Sequence, residues 1–144
     1  MIQGMFDSGA LPALERLAQF TESRHRVLTN NIANLSNPYF KARDLDVKSF
    51  QAALTQAIED RRGGGGRTNG PLHVRDTAQL FFRTDGITAH ADEIHENVLF
   101  HDQNNIDLER NMQRLAENTM THNAAIELIR NQFSLIQMAI RERP

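Results

Sequence analysis

Residues 108–140 read LERNMQRLAENTMTHNAAIELIRNQFSLIQMAI, and this stretch decides the fold. Leu108, Met112, Leu115, Thr119, His122, Ile126, Ile129, Phe133, Ile136 and Ile140 follow one another in unbroken steps of four and three. That spacing keeps one stripe of a helix facing a partner helix. No Gly or Pro interrupts the run. Asn105 is the expected N-cap, with Asp107 in the first turn and Arg141 and Arg143 at the far end, where cations suit the helix dipole. At 1.5 Å per residue the helix is a rod of roughly 55 Å, too long for the core of a small globule. The stripe requires another helix.

The partner is expected near the other end of the chain. Pro12 suits a first helical turn, and Leu11, Leu14, Ala18, Thr21, His25, Leu28, Ile32 and Leu35 form a second stripe with steps of three and four. This helix should stop before Pro38, because the residue preceding a proline is pushed out of the α region. The asparagines at 30, 31, 34 and 37 lower helix propensity toward that end.

Laid antiparallel, Leu11 meets Phe133, Leu14 meets Ile129, Ala18 meets Ile126 and Leu28 meets Leu115. Ile32 then meets Met112, and Leu35 meets Leu108. Thr21 falls opposite His122 and His25 opposite Thr119. Matched polar layers can fix a register; the alternative is that these four residues face solvent or neighbouring subunits. Ile136 and Ile140 overhang the first helix and leave apolar surface for another chain. The expected fold is mainly α, with the long terminal helices (11–36 and 105–143) in an antiparallel coiled-coil-like pair within a single domain, 1–144.

The central segment, 37–104, reads as small, irregular and partly β. Leu45 to Ile58 can hold a short amphipathic helix, with Phe50, Leu54 and Ile58 four apart. Four glycines from Gly63 to Gly66 place a flexible loop at about 61–70. Asp85-Gly86 between apolar runs predicts a hairpin.

Composition removes several classes of function. With 16 basic and 18 acidic residues and a net charge of −2, there is no electrostatic case for nucleic acid or an anionic membrane. The absence of cysteine excludes disulfides, thiolate catalysis and Cys-ligated zinc. No segment has the ~18 continuous apolar residues of a membrane span, and no basic-then-apolar signal peptide opens the chain. His90, His95 and His101 with Asp92 and Glu93 have no helical i, i+4 histidine pair and read as polar loop residues rather than a metal site. Gly63–Gly66 lacks the Lys-Ser/Thr ending of a phosphate-binding loop, and the serines have no nucleophile-elbow context. Neither an enzyme, a cofactor nor a small-molecule substrate is expected.

Asn31-Ile32-Ala33-Asn34-Leu35-Ser36-Asn37-Pro38-Tyr39-Phe40-Lys41 resembles the N-terminal signature of bacterial flagellar rod and hook proteins, an N-I-A-N stretch followed by Pro-Gly-Tyr-Lys/Arg. From Asn105 onward the chain is similar to the proximal rod members of that axial family. The signature positions carried here are Asn31, Ile32, Ala33, Asn34, Pro38 and Lys41. Tyr39 stands where the family has glycine, with Phe40 in the usual tyrosine position. Because tyrosine resists φ > 0, a type I or extended turn is expected in place of a type II turn.

The resemblance implies a structural subunit of the basal-body rod that spans the periplasm, exported by the flagellar type III apparatus without a cleaved signal. It implies self-association, with other rod and basal-body proteins as partners, into a helical tube that transmits torque. It also makes Arg110, Asn111, Arg114, Asn118, Gln132, Gln137 and Arg141, read as lying opposite the seam, candidates for the channel wall; an ordinary solvated face is the other reading. A distal rod or hook-type protein and a helical-hairpin adaptor are the rival functions.

Overall fold

The computed structural model describes residues 9–63, 72–83, 86–94 and 107–141. Among these, α1 spans Leu11–Ala33, β1 Arg43–Asp44, α2 Val47–Gly63, β2 Leu80–Arg83, β3 Gly86–Ala89, β4 Asp92–Glu93 and α3 Leu108–Arg141. The long helices α1 and α3 pack antiparallel, and the central segment lies against α1 as two small antiparallel ladders and a helix. No helix among the described residues is long and apolar enough to cross a membrane.

Helix α1 begins with Pro12 in its first turn and no side-chain cap from Ala10. It ends where Asn34 turns its amide back to donate to the Asn30 carbonyl at 2.8 Å. This side chain competes with helix continuation, as asparagine does at helix ends. The chain then reverses through Asn37-Pro38-Tyr39-Phe40, closed by the Phe40 N–H donating to the Asn37 carbonyl at 3.3 Å. Tyr39 has φ +66°. Proline followed by a positive φ is the pattern of a type II turn, so the expected type I or extended turn is not adopted. The backbone keeps the conformation that glycine favours and holds a tyrosine in it, at a cost on the order of 1–3 kcal/mol.

The apolar core does not lie between the long helices. It is built from Phe20, Leu45, Phe50 and Leu80, with Leu17, Val27 and Phe82 packed against it. Phe20 and Phe50 stack with centroids 4.0 Å apart and planes 3° apart, and Phe82 follows at 6.4 Å from Phe50. Helix α1 therefore has two working faces. Leu17, Phe20 and Val27 face the central segment, and Leu28 and Thr21 lie on the side turned to α3.

Helix α2 runs five residues past the end of a simple Leu45–Ile58 reading, through Arg61 and Arg62 to Gly63. The expected loop thus starts later than residue 61, and its remainder, 64–70, falls outside the described residues. Asp46 caps this helix: its carboxylate accepts the Lys48 N–H at 2.9 Å and the Ser49 hydroxyl. The Ser49 hydrogen bond is the main reason the Asp46 carboxyl sits below its ordinary pKa, with burial opposing it.

The β2–β3 hairpin pairs Leu80 with Ala89 and Arg83 with Gly86. Its turn residues, 84 and 85, are not among those described. A shorter ladder pairs Arg43 with Glu93 and Asp44 with Asp92. Gln79 ties these pieces together. Its amide oxygen accepts the Asp46 N–H, and its amide nitrogen donates to Asp92, each at 2.7 Å.

Helix α3 is capped by Asp107, whose carboxylate accepts the Arg110 N–H at 3.1 Å. Asp107 thus holds the capping position expected of Asn105, a residue outside the description. His95 and His101 also fall outside it. The rings of His90 and Phe81 stand nearly perpendicular, with centroids 5.6 Å apart.

Candidate assembly interface

The contact between α1 and α3 is organised by asparagines. Asn118 donates its side-chain amide to the Thr21 carbonyl at 2.8 Å. Asn111 repeats the bond seven residues earlier, to the Leu28 carbonyl at 3.1 Å. Donors and acceptors are each one heptad apart, on helices running in opposite directions, so the two bonds are equivalent rungs of one ladder. Asn111 and Asn118 are 5% and 3% exposed. Ala125, one heptad further, is buried and small enough to let the helices approach.

Asn31 extends the network into the chain reversal. Fully buried, it donates to the Arg43 carbonyl at 2.7 Å and accepts the Arg43 N–H at 3.1 Å. It thus pairs with Arg43 as a strand neighbour would. The same Nδ2 lies 3.3 Å from Oδ1 of Asn111. One side chain therefore joins the end of α1, the returning strand and the start of α3.

A buried ion pair stands beside it. Arg24 grips Asp44 with two hydrogen bonds, Nε to Oδ1 at 2.8 Å and Nη2 to Oδ2 at 2.7 Å, and is itself 9% exposed. Arg114 of α3 approaches the same carboxylate at 3.7 Å. By contrast the Arg26–Glu22 pair is open to solvent on both sides. An exposed pair of this kind contributes about 0.3–0.5 kcal/mol, whereas removing one partner of a buried pair costs about 3–5 kcal/mol. Arg24–Asp44 is the pair that holds the architecture.

The layer expected from Thr21 and His122 is present, with Oγ1 and Nδ1 2.8 Å apart. Thr21 Oγ1 is also within 3.0 Å of the Leu17 and Ala18 carbonyls. A hydroxyl has one proton, and when either carbonyl takes it, Nδ1 of His122 carries the hydrogen and donates. The companion layer is different. His25 and Thr119 are exposed, and Thr119 donates to its own helix at the Leu115 carbonyl.

Of the expected seam residues, Leu11 and Leu28 are buried, and Leu14, Ile32, Leu115, Ile126 and Ile129 are half-buried. Leu35, Leu108, Met112 and Phe133 are exposed, at 37%, 43%, 50% and 37%. The reason is a rotation of about one residue. Helix α1 lies over the line 111–115–118–122–125–129, not over 112–115–119–122–126–129. The apolar stripe is wider than one partner helix, and α1 settles on the edge where Asn111 and Asn118 can reach its carbonyls and Ala125 permits close approach. Of the overhang residues, Ile136 is half-buried and Ile140 is 57% exposed.

The face taken as opposite the seam is corrected by the same rotation. Asn111 and Asn118 point into the helix pair, Arg114 is half-buried toward Asp44, and Gln132 is half-buried. Only Arg110, Gln137 and Arg141 are exposed as that reading required.

No family model matches the chain. It is 30% identical over 122 residues to the flagellar basal body rod protein FlgB of Cereibacter sphaeroides, covering 83% of this chain and 84% of that one. It is also 29% identical over 136 residues to the flagellar basal body rod protein FlgB of Bacillus subtilis (strain 168), covering 92% and 94%. The chain belongs to the FlgB family. The resemblance carried by Asn31 to Lys41 now has its family and, in part, its physical basis. Asn31 clamps the reversal and Asn34 closes α1. Ile32 and Lys41 are half-buried, while Ala33 and Pro38 are exposed. Pro38 sets the turn that Tyr39 completes at φ +66°.

The residues that sequence reasoning missed are Phe20, Arg24 and Asp44, and it placed Asn111 and Asn118 on the wrong face. The asparagine ladder left one legible signal: the seven-residue interval of Asn111 and Asn118 equals that of Thr21 and Leu28. Arg24 and Asp44 left none, because only the reversal at 34–42 brings them together.

Proposed function

We propose that this chain is a structural subunit of the proximal flagellar rod, polymerising through its terminal helices into the tube that carries torque from rotor to hook. Membership of the FlgB family supports this reading. The observation that carries it is the outer surface of α3, where Met120, Leu128, Leu135, Met138 and Ile140 are 72%, 51%, 55%, 49% and 57% exposed. Large apolar side chains left exposed in such number along one helix mark surface available to a partner. A helical pair with apolar residues on further faces suits a subunit completed by its neighbours through open, heterologous contacts.

On this reading its partners are other copies and other rod and basal-body proteins. It reaches the periplasmic span of the basal body by flagellar type III export, and it catalyses no reaction. It binds neither nucleic acid nor a small-molecule substrate, and it does not insert into a membrane. Deleting the gene product from its flagellated host tests this. Basal bodies isolated from the deletion host should lack a rod and regain it when the chain is restored. Normal rods in the deletion host would overturn the proposal.

A further inference from the structure

Arg61 stands near the end of α2, and among the described residues it alone has buried side-chain nitrogens that meet no partner. Its Nη2 donates to the carbonyl of Gly9, 2.5 Å away and two residues ahead of α1. Its Nε and Nη1 are shielded from water and make no hydrogen bond. A cation near the C-terminal end of α2 suits that helix's dipole. This accounts for the charge but not for two shielded donors left unanswered, which native structures rarely keep. The foot of α1 asks for the same chemistry: Ala10 offers no side-chain cap, and the first turn holds no acidic residue. The guanidinium thus sits beside the positive end of a helix, and no carboxylate among the described residues pairs with it.

We infer that Arg61 is the docking point for the segment that precedes α1, and that the carboxylate of Asp7 is its partner. Residues 1–8 contain a single charged side chain, Asp7. It stands two positions before Gly9, a stretch of chain that reaches at most about 7 Å, and Gly9 is already held by this guanidinium. The carboxylates nearest to Arg61 on α2 are otherwise placed. Asp60 accepts the Gln56 amide at 2.7 Å and lies 3.6 Å from Arg75. Glu59 is two residues from Arg61, a spacing that turns it to another side of the helix. A carboxylate accepts from more than one guanidinium N–H at once, and one placed here also meets the positive end of α1. The ion pair and the Gly9 bond together fasten the residues before α1 to the end of α2. The inference does not depend on the proposed rod function.

Thermal denaturation of the full chain tests it. Asp7→Asn and Arg61→Gln should each lower the melting temperature by a few degrees, and the double variant should lose no more than the larger of the two. Glu59→Gln, which removes a neighbouring charge without touching the pair, should leave the melting temperature unchanged. An Asp7→Asn variant as stable as the natural chain, or losses that simply add, overturns the pairing. So does a rise in melting temperature on Arg61→Gln, since a buried cation is a liability only when it is unpaired.

A local signal decides the matter if a variant melts too broadly to compare. The Arg61 Nε–H resonance of the isotope-labelled chain is identified in proton–nitrogen NMR spectra by its loss in Arg61→Gln. Asp7→Asn should shift that resonance by more than its linewidth and speed its exchange with water, and Glu59→Gln should do neither. A resonance that ignores Asp7→Asn, or that responds equally to Glu59→Gln, overturns the inference.

Discussion

The side-chain amide of Asn118 reaches across the helix pair to the backbone carbonyl of Thr21, 2.8 Å away and shielded from water. A bond to a carbonyl specifies position in a way that apolar side chains do not, because it is made at one register and lost when the helices slide. Leu28 and Ala125, both buried, contribute apolar contact to the pair. The asparagine rungs give it its alignment.

Asn118→Ala and Asn111→Ala should each destabilise the free chain by about 1–2 kcal/mol, the worth of a buried hydrogen bond with its packing. The sites are about 10 Å apart along α3, so the double variant should be close to additive. Met112→Ala and Thr119→Ala, one residue further round the helix and exposed, should cost under about 0.5 kcal/mol. Urea denaturation followed by circular dichroism measures all four. The reverse ranking would mean that the 112–119 edge faces α1.

Much of the pairing was legible because it follows from periodicity. The antiparallel arrangement and the meeting of Thr21 with His122 both come from steps of three and four. What periodicity hid was the choice between adjacent edges of one wide stripe. Counting hydrophobicity places Asn111 and Asn118 on the outside, whereas their ability to donate to helix carbonyls draws them in. The aromatic core was hidden for another reason. Phe20 belongs to a second face of α1, and its partners Phe50 and Phe82 are brought to it by chain reversals that no local pattern encodes.

Asn31→Asp is nearly isosteric but removes the amide that donates to the Arg43 carbonyl and faces Asn111. At neutral pH it would set a buried carboxylate against a carbonyl oxygen. The expected loss is about 2–3 kcal/mol or more, and lowering the pH below about 4, near the ordinary carboxyl pKa, should recover part of it by restoring a proton. Thermal melts at pH 7 and pH 4 check this, with the natural chain as reference.

Arg24→Ala leaves Asp44 with the Leu45 N–H at 2.8 Å and the looser Arg114 at 3.7 Å. A loss of about 3 kcal/mol is expected, at the lower edge for an orphaned buried charge. Arg24→Lys keeps the charge but not the two-pronged grip and should lose about 1–2 kcal/mol. The difference between the two variants should persist in 0.5 M salt, since a buried pair is poorly screened. Removing Arg26, which is 76% exposed at the side chain, should cost almost nothing.

Asp46 gives the α2 cap a defined pH dependence. Its folded-state pKa lies below the ordinary value, chiefly through the Ser49 hydroxyl. The ionised cap therefore stabilises above the unfolded carboxyl pKa, about 3.9, and its contribution declines as pH falls through the folded value. Asp46→Ala should cost about 1 kcal/mol at pH 7. The gap between variant and natural chain should narrow in denaturation curves taken below about pH 4.

The alignment of the two terminal helices is tested most directly by cysteine pairs in a chain that naturally has none. Thr21→Cys with Asn118→Cys should oxidise to an intramolecular disulfide, visible as a faster-migrating band without reductant. Thr21→Cys paired with Asn111→Cys or with Ala125→Cys, one heptad off in either direction, should not. A disulfide from a displaced pair, or none from 21 and 118 while the chain remains folded, would contradict the register on which the account of the interface stands.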